Sequence, residues 1–227
     1  FNKIRKNIPK TQFEEKIEIS YEEVERYYQN RPAHITKYLE NERGLSAEII
    51  EKWKIGWGQF YGRRWINIPI FDQDGKVSLL KLRADPEDKS LENRYMVYPK
   101  GAKHDLYGVD QLSDKPDTLF WVEGEFDRLR LESRGLYAVS GTGGAGTLKD
   151  EWIEIAKECK SLKEIYVCYD NDVEGEKGAA HLLAALSRHL KGLDIKLFNI
   201  SLPKIEGIKD VTDFFANKSY QPEKDRL

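Results

Sequence analysis

The sequence predicts an α/β protein in which a mostly parallel sheet, flanked by helices, follows a smaller α+β subdomain. Three observations predict it. From Thr118 onward, short apolar runs alternate with segments of helical spacing, which is the pattern of βαβ units. Before that point, helix signals come first and hairpin signals second, without alternation. Between the two regions lies a polar break at Lys115-Pro116-Asp117, so the domains are read as residues 1–117 and 118–227.

The elements follow in order. Residues 1–19 are polar and charged with weak periodicity, and read as a linker or arm. Ser20-Tyr21-Glu22-Glu23 has the form of a capping box, in which serine and glutamate each satisfy an orphan amide, so a helix runs to about Gln29. Arg31-Pro32 interrupts it, and a second helix spans Ala33 to Glu42. Ser46 can cap a third over Ala47 to Trp53. Trp65 to Phe71 and Val77 to Leu82 read as strands joined by Asp72-Gln73-Asp74-Gly75, where glycine tolerates the positive φ of a hairpin turn. Pro69 suits an edge strand or a bulge. Residues 85–104 are a polar excursion.

In the second region, Thr118–Val122, Leu136–Val139, Glu164–Tyr169 and Ile195–Ile200 read as strands. Phe126–Ser133, a segment capped by Thr147 and running through Cys159, Glu174–Lys191 and Val211–Ala216 read as helices.

Composition narrows the function. The hydrophobic fraction of 40% supports a real core, and no run approaches the ~18 apolar residues of a membrane helix. Cys159 and Cys168 stand outside any CxxC or Cys/His spacing, which argues for reduced core thiols in a cytoplasmic protein and against a structural zinc site. The chain starts at Phe1 with no signal-peptide pattern and reads as a piece of something longer. Residues 1–118 hold 21 basic and 20 acidic side chains, so any nucleic-acid contact must come from a local patch rather than from net charge.

Acids gather where strands end. Leu119–Val122 runs into Glu123-Gly124-Glu125-Phe126-Asp127, and Ile165–Tyr169 runs into Asp170-Asn171-Asp172. Ile195–Ile200 leads through a loop to Asp210-Val211-Thr212-Asp213. In an open α/β sheet ligands bind outside the carboxyl ends of the strands. Crowded carboxylates raise one another's pKa unless a cation lies between them, and hard oxygen donors suit Mg²⁺ or Mn²⁺. Any one of these acids alone would be an ordinary turn or cap residue. Three such sites after three strands, at one predicted edge, point to function.

These segments resemble a known family. Val122-Glu123-Gly124-Glu125-Phe126-Asp127, Tyr169-Asp170-Asn171-Asp172-Val173-Glu174-Gly175 and Lys209-Asp210-Val211-Thr212-Asp213-Phe214 are similar to the three acidic signatures of TOPRIM-domain DNA primases of the bacterial and phage type. Upstream, Arg43-Gly44-Leu45, Trp53 to Gly58, Arg64 to Gly75 and Leu106-Tyr107-Gly108 resemble the start of the same primase core. The resemblance implies that Glu123 is a metal ligand or general base, and that Asp170 and Asp172 hold Mg²⁺ or Mn²⁺. It also implies that Asp127, Asp210 and Asp213 complete a second metal position. Arg83, Arg94, Tyr95 and Lys100 or Lys103 fall where the family faces template or nucleotide phosphates, and Lys81 is grouped with them. A replicative helicase, fused or separate, is the implied protein partner.

The match departs in places. Ser140 to Gly146 is richer in glycine than the cellular primase pattern and lacks the Gly-Lys-Ser/Thr of a phosphate loop, so it either lines a phosphate with amides or is a plain turn. The family's zinc module and any helicase or helicase-docking region are missing from these residues, and the shorter, looser match suggests a phage, plasmid or mobile-element primase. Between Lys52 and Trp65, cations alternate with aromatics, a pattern that either grips single-stranded nucleic acid or fills a small core. Arg63 and Arg64 are the stronger candidates for contact there.

The expected function is synthesis of RNA primers on single-stranded DNA from ribonucleoside triphosphates by a metal-dependent nucleotidyltransferase. The alternatives are a TOPRIM nuclease and a catalytically silent DNA-binding module of a primase-helicase.

Overall fold

The computed structural model describes residues 17–90 and 93–217. The arm read over residues 1–19 and the end of the second domain lie largely or partly outside the described residues.

The N-terminal part opens with three short helices. Helix α1 (Tyr21–Gln29) has the expected capping box: Glu23 N–H donates to Ser20 Oγ at 3.2 Å, and Ser20 N–H donates to Glu23 Oε2 at 3.0 Å. Helix α2 (Ala33–Lys37) passes into a π-helical turn, Tyr38–Glu42, so the single helix expected there changes pitch at its middle. Helix α3 (Ala47–Lys52) is capped by Ser46, which accepts from Ile49 N–H at 3.3 Å.

An antiparallel sheet follows in the order β1-β2-β3-β4. Its strands are β1 (Gly56–Phe60), β2 (Arg63–Phe71), β3 (Val77–Ala84) and β4 (Tyr95–Tyr98). Strands β1 and β4 were not expected from sequence. The first is rich in glycine, and the second lies within the segment read as a polar excursion. Pro69 sits in an interior strand rather than an edge strand. It is tolerated because β1 pairs with β2 only as far as Asn67, and the register shifts just beyond, between Ile70 and Phe71.

The second sheet has the order β5-β7-β6-β8-β9. Strands β6 (Thr118–Val122), β7 (Ala138–Gly141), β8 (Glu164–Cys168) and β9 (Lys196–Asn199) are parallel, and only β5 (Leu106–Tyr107) is antiparallel. Helices α4 (Glu125–Glu132), α5 (Asp150–Glu158), α6 (Val173–His189) and α7 (Val211–Ala216) cover it. The predicted α/β class with a mostly parallel sheet is thus the observed one. Helix α5 starts at Asp150 rather than at Thr147, whose hydroxyl donates instead to Gly143 O.

Two apolar layers matter for the site. One lies within the parallel sheet and its helices, around Trp121, Trp152, Ile165 and Leu186. The other joins the two sheets: Ile66, Ile68 and Leu79 of the antiparallel sheet pack with Tyr107, Phe126 and Leu129. Burying this much apolar surface between them fixes how the two sheets sit. We propose the domain boundary at 117/118, with β5, which precedes it in sequence, contributed to the second sheet by the first domain.

Candidate active site

Strands β6 and β8 are neighbours in parallel register, with Val122 opposite Cys168. Both chains therefore leave the sheet at the same edge. Glu123 follows β6 directly, and Asp170 follows β8 after one residue. They meet there: Asp170 N–H donates to Glu123 Oε2 at 3.4 Å. Asp172 caps α6, accepting from Gly175 N–H at 2.9 Å. Gly175 is required because a side chain there would strike the Asp170 carbonyl, so glycine alone lets α6 start this close to the strand end. Asp210 caps α7 and accepts from Asp213 N–H at 2.7 Å. The loop before α7 is tied to the same edge, since Asn171 N–H donates to Lys209 O at 2.7 Å.

Electrostatics mark this edge as short of positive charge. Glu123 is pushed above the usual carboxylate range by burial first and by Asp170 and Asp172 second. Asp170 is raised by burial, with Lys209 opposing the shift. Asp210 is also raised, chiefly by burial. Asp172 behaves oppositely: the Gly175 amide, followed by Lys209, holds it low. Lys209 Nζ lies 3.3 Å from Asp170 Oδ2 and 3.2 Å from Asp172 Oδ2. Among the described residues, no three carboxylates of this cluster bring ligand atoms within 4.8 Å of one another; only His34 of α2 with Asp85 and Glu87, which follow β3, do so.

Asp127 and Asp213 differ from the others. Asp127, in the first turn of α4, is buried, and its Oδ1 accepts from Thr212 N–H at 3.0 Å and Thr212 Oγ1 at 2.9 Å. Burial, followed by Asp210, pushes its carboxyl up to about 8. Asp213 Oδ2 accepts from Lys209 N–H at 3.1 Å and helps set the loop.

The cations fall into three groups. Arg83 is half-buried, and its guanidinium lies 4.0 Å from the Tyr95 ring centroid. Arg43, for which the motif suggested no role, stacks on Phe126 at 4.8 Å and exerts its charge on both Arg83 and Asp210. These two arginines form a positive wall that reaches Asp210 through the charge of Arg43. Lys81 and Arg94 are instead engaged in the fold. Lys81 Nζ lies 2.9 Å from Glu125 and donates to Thr142 O at 2.6 Å. Arg94 donates to Asp88 O and Asp85 O at 2.6 and 3.0 Å, holding the turn after β3. Arg63, Arg64, Lys100 and Lys103 are exposed. Arg63 reaches Ser90 at 3.2 Å, and Arg64 lines a 350 Å³ hollow with Trp57 and Gln59.

The tryptophans resolve the ambiguity between Lys52 and Trp65. Trp53, Trp57 and Trp65 are buried and fill the core. Thr142, within the glycine loop, is also buried: its hydroxyl accepts from Asp105 N–H at 2.8 Å. Cys159 and Cys168 are free and buried, and burial drives the Cys168 thiol up to about 12.

Comparison with known proteins bears on the fold. A family model described as Toprim-like matches residues 120–215, the span that carries Glu123, Asp127, Asp170, Asp172, Asp210 and Asp213. Residues 120–215 have the fold of a Toprim-like domain. A DNA primase from Legionella pneumophila is 27% identical over 216 residues, covering 76% of this chain and 36% of that protein. The chain thus spans about a third of that primase. An uncharacterized protein, MG010 of Mycoplasma genitalium, is 26% identical over 174 residues, covering 76% of each chain. Among solved structures, a DnaG primase catalytic domain bound to ssDNA superposes with a TM-score of 0.68 at 22% identity, covering 89% of this chain and 74% of that one. The likeness extends across the antiparallel sheet as well as the Toprim-like domain, so the whole described chain has the fold of a primase catalytic core. The resemblance to TOPRIM-domain primases is borne out. Among the described residues, no helix is long and apolar enough to cross a membrane.

Proposed function

We propose that this chain is the nucleotidyl-transfer core of a primase. It binds a single-stranded DNA template, takes ribonucleoside triphosphates and joins them in the presence of Mg²⁺ or Mn²⁺. The observation that carries this is the convergence of Glu123, Asp170, Asp172 and Asp210 at one edge of a parallel sheet, with Arg43 and Arg83 on the neighbouring wall.

The donor set fits hard divalent ions. Its oxygens come from carboxylates, Glu123 and Asp170 are raised by burial first and by neighbouring acids second, and a lysine ammonium lies between Asp170 and Asp172. Glu123, Asp170, Asp172 and Asp210 would hold the ions. When bound, such ions stabilise charge on the attacking and leaving oxygens of an in-line displacement. Glu123, with its raised pKa, is suited to accept the proton of a primer 3′-hydroxyl. Asp127 and Asp213 act by fixing α4 and α7, through Thr212 and the Lys209 amide. Arg43 and Arg83 are placed to receive phosphate oxygens as bidentate donors. Tyr95, exposed and stacked on Arg83, offers a face for a base. Arg63, Arg64, Lys100 and Lys103 would extend the template path electrostatically. A replicative helicase is the partner such an activity serves, in the cytoplasm.

The test is incubation with mixed-sequence single-stranded DNA, labelled ribonucleoside triphosphates and Mn²⁺. Labelled oligoribonucleotides that depend on template and ion support the proposal. Ion-dependent cutting of the template, without synthesis, would replace it with a nuclease. DNA binding without either reaction would replace it with a silent binding module.

A further inference from the structure

We infer that Lys209 is a tethered counter-ion that competes with divalent metal for Asp170 and Asp172. The inference rests on the proposal that these acids form a metal site, and it concerns how that site is tuned.

Three observations carry it. The ammonium sits almost equally far from one oxygen of each carboxylate, 3.3 and 3.2 Å. This is where a shared cation would neutralise both. The backbone of Lys209 is anchored twice, its carbonyl accepting from Asn171 N–H at 2.7 Å and its N–H donating to Asp213 Oδ2 at 3.1 Å. Its side chain is nevertheless 60% exposed. A fixed root with a solvated stem lets the ammonium leave the acids without disturbing the loop. Burial around Asp170 makes an uncompensated charge there costly, so the lysine stabilises the site whenever no ion is present.

An arriving ion must break both contacts. Ion pairs with one partner as solvated as this lysine contribute little individually, so the competition lowers ion affinity modestly. The freed ammonium stays within a side chain's reach of the site.

The test is Mn²⁺ binding measured by electron paramagnetic resonance on the full chain. Lys209→Met is expected to bind Mn²⁺ about three- to tenfold more tightly than wild type. Lys209→Arg is expected to stay close to wild type. Lys157→Met, on α5 and paired with Glu154, controls for the loss of one positive charge. A second readout is thermal unfolding. Lys209→Met should melt lower than wild type in chelator and gain more from Mn²⁺. Equal or weaker Mn²⁺ binding by Lys209→Met, with binding still lost in Asp170→Asn, overturns the inference while leaving the metal site intact. No Mn²⁺ binding to wild type overturns both.

Discussion

Trp53 Nε1 donates to Glu132 Oε2 at 2.5 Å, joining the last helix before the antiparallel sheet to the first helix of the Toprim-like domain. Glu132 also faces Arg128, which is fully buried, at 2.7 Å but without hydrogen-bond alignment. The Arg128 guanidinium stacks 4.0 Å from the Trp53 ring. Removing Glu132 therefore strands a buried cation and an indole donor together. Glu132→Ala should cost about 3–5 kcal/mol in urea unfolding. Lys52→Ala, which removes only the exposed partner of the same carboxylate, should cost under ~1 kcal/mol. Equal effects would show that the buried charge is not what holds this junction.

Lys81 forms a second tie between the sheets. It bridges Glu125 and the Thr142 carbonyl and is largely buried. Lys81→Met should destabilise by about 2 kcal/mol, and adding Glu125→Gln should restore part of that, because the unpaired carboxylate is the larger share of the loss. A double variant as unstable as the sum of the singles would contradict this.

The Asp127 carboxyl gives the chain a pH signature. Its folded pKa, about 8, is above the ordinary aspartate value, so the folded state holds a proton that the unfolded chain has released. This contribution is fully present below about pH 4 and is lost as pH rises toward 8. In chelator, stability should fall with rising pH across that window more steeply in wild type than in Asp127→Asn. Parallel slopes, measured by denaturation at several pH values, would show that Asp127 does not carry the effect.

The parts that were legible in the sequence are those governed by local rules. The capping box at Ser20, the hairpin turn at Gly75 and the βα alternation after Thr118 each follow from short-range chemistry, and each is present. The acids converge because parallel register puts the ends of β6 and β8 together, and that too follows from alternation. Strand β4 was missed because its Tyr-Met-Val-Tyr sequence is embedded in polar loop and gains its place from pairing with β3. The roles of Lys209 and Arg43 were missed because each depends on a neighbour distant in sequence, Asp170 for one and Phe126 for the other. Lys81 and Arg94 show the converse, since a basic residue in a motif position can be occupied by the fold itself.

Arg83 and Arg63 separate contact from charge. Arg83 stacks on Tyr95 beside Arg43, whereas Arg63 is exposed and lies 4.0 Å from Asp88. Arg83→Ala should weaken binding to single-stranded DNA and reduce its salt slope by about one. Arg63→Ala should change the slope less. The reverse order, in fluorescence anisotropy across a salt series, would move the template path away from Arg83.

The most direct test of the central claim is synthesis of labelled oligoribonucleotides on single-stranded DNA by wild type, Glu123→Gln and Asp170→Asn, each shown to be folded. The account predicts ion-dependent products from wild type and a loss of about 100-fold or more in both variants, as expected for groups that act at the reacting atoms. Variants that make primers at the wild-type rate would contradict it, because the edge where β6 and β8 end would then not be the site of the chemistry.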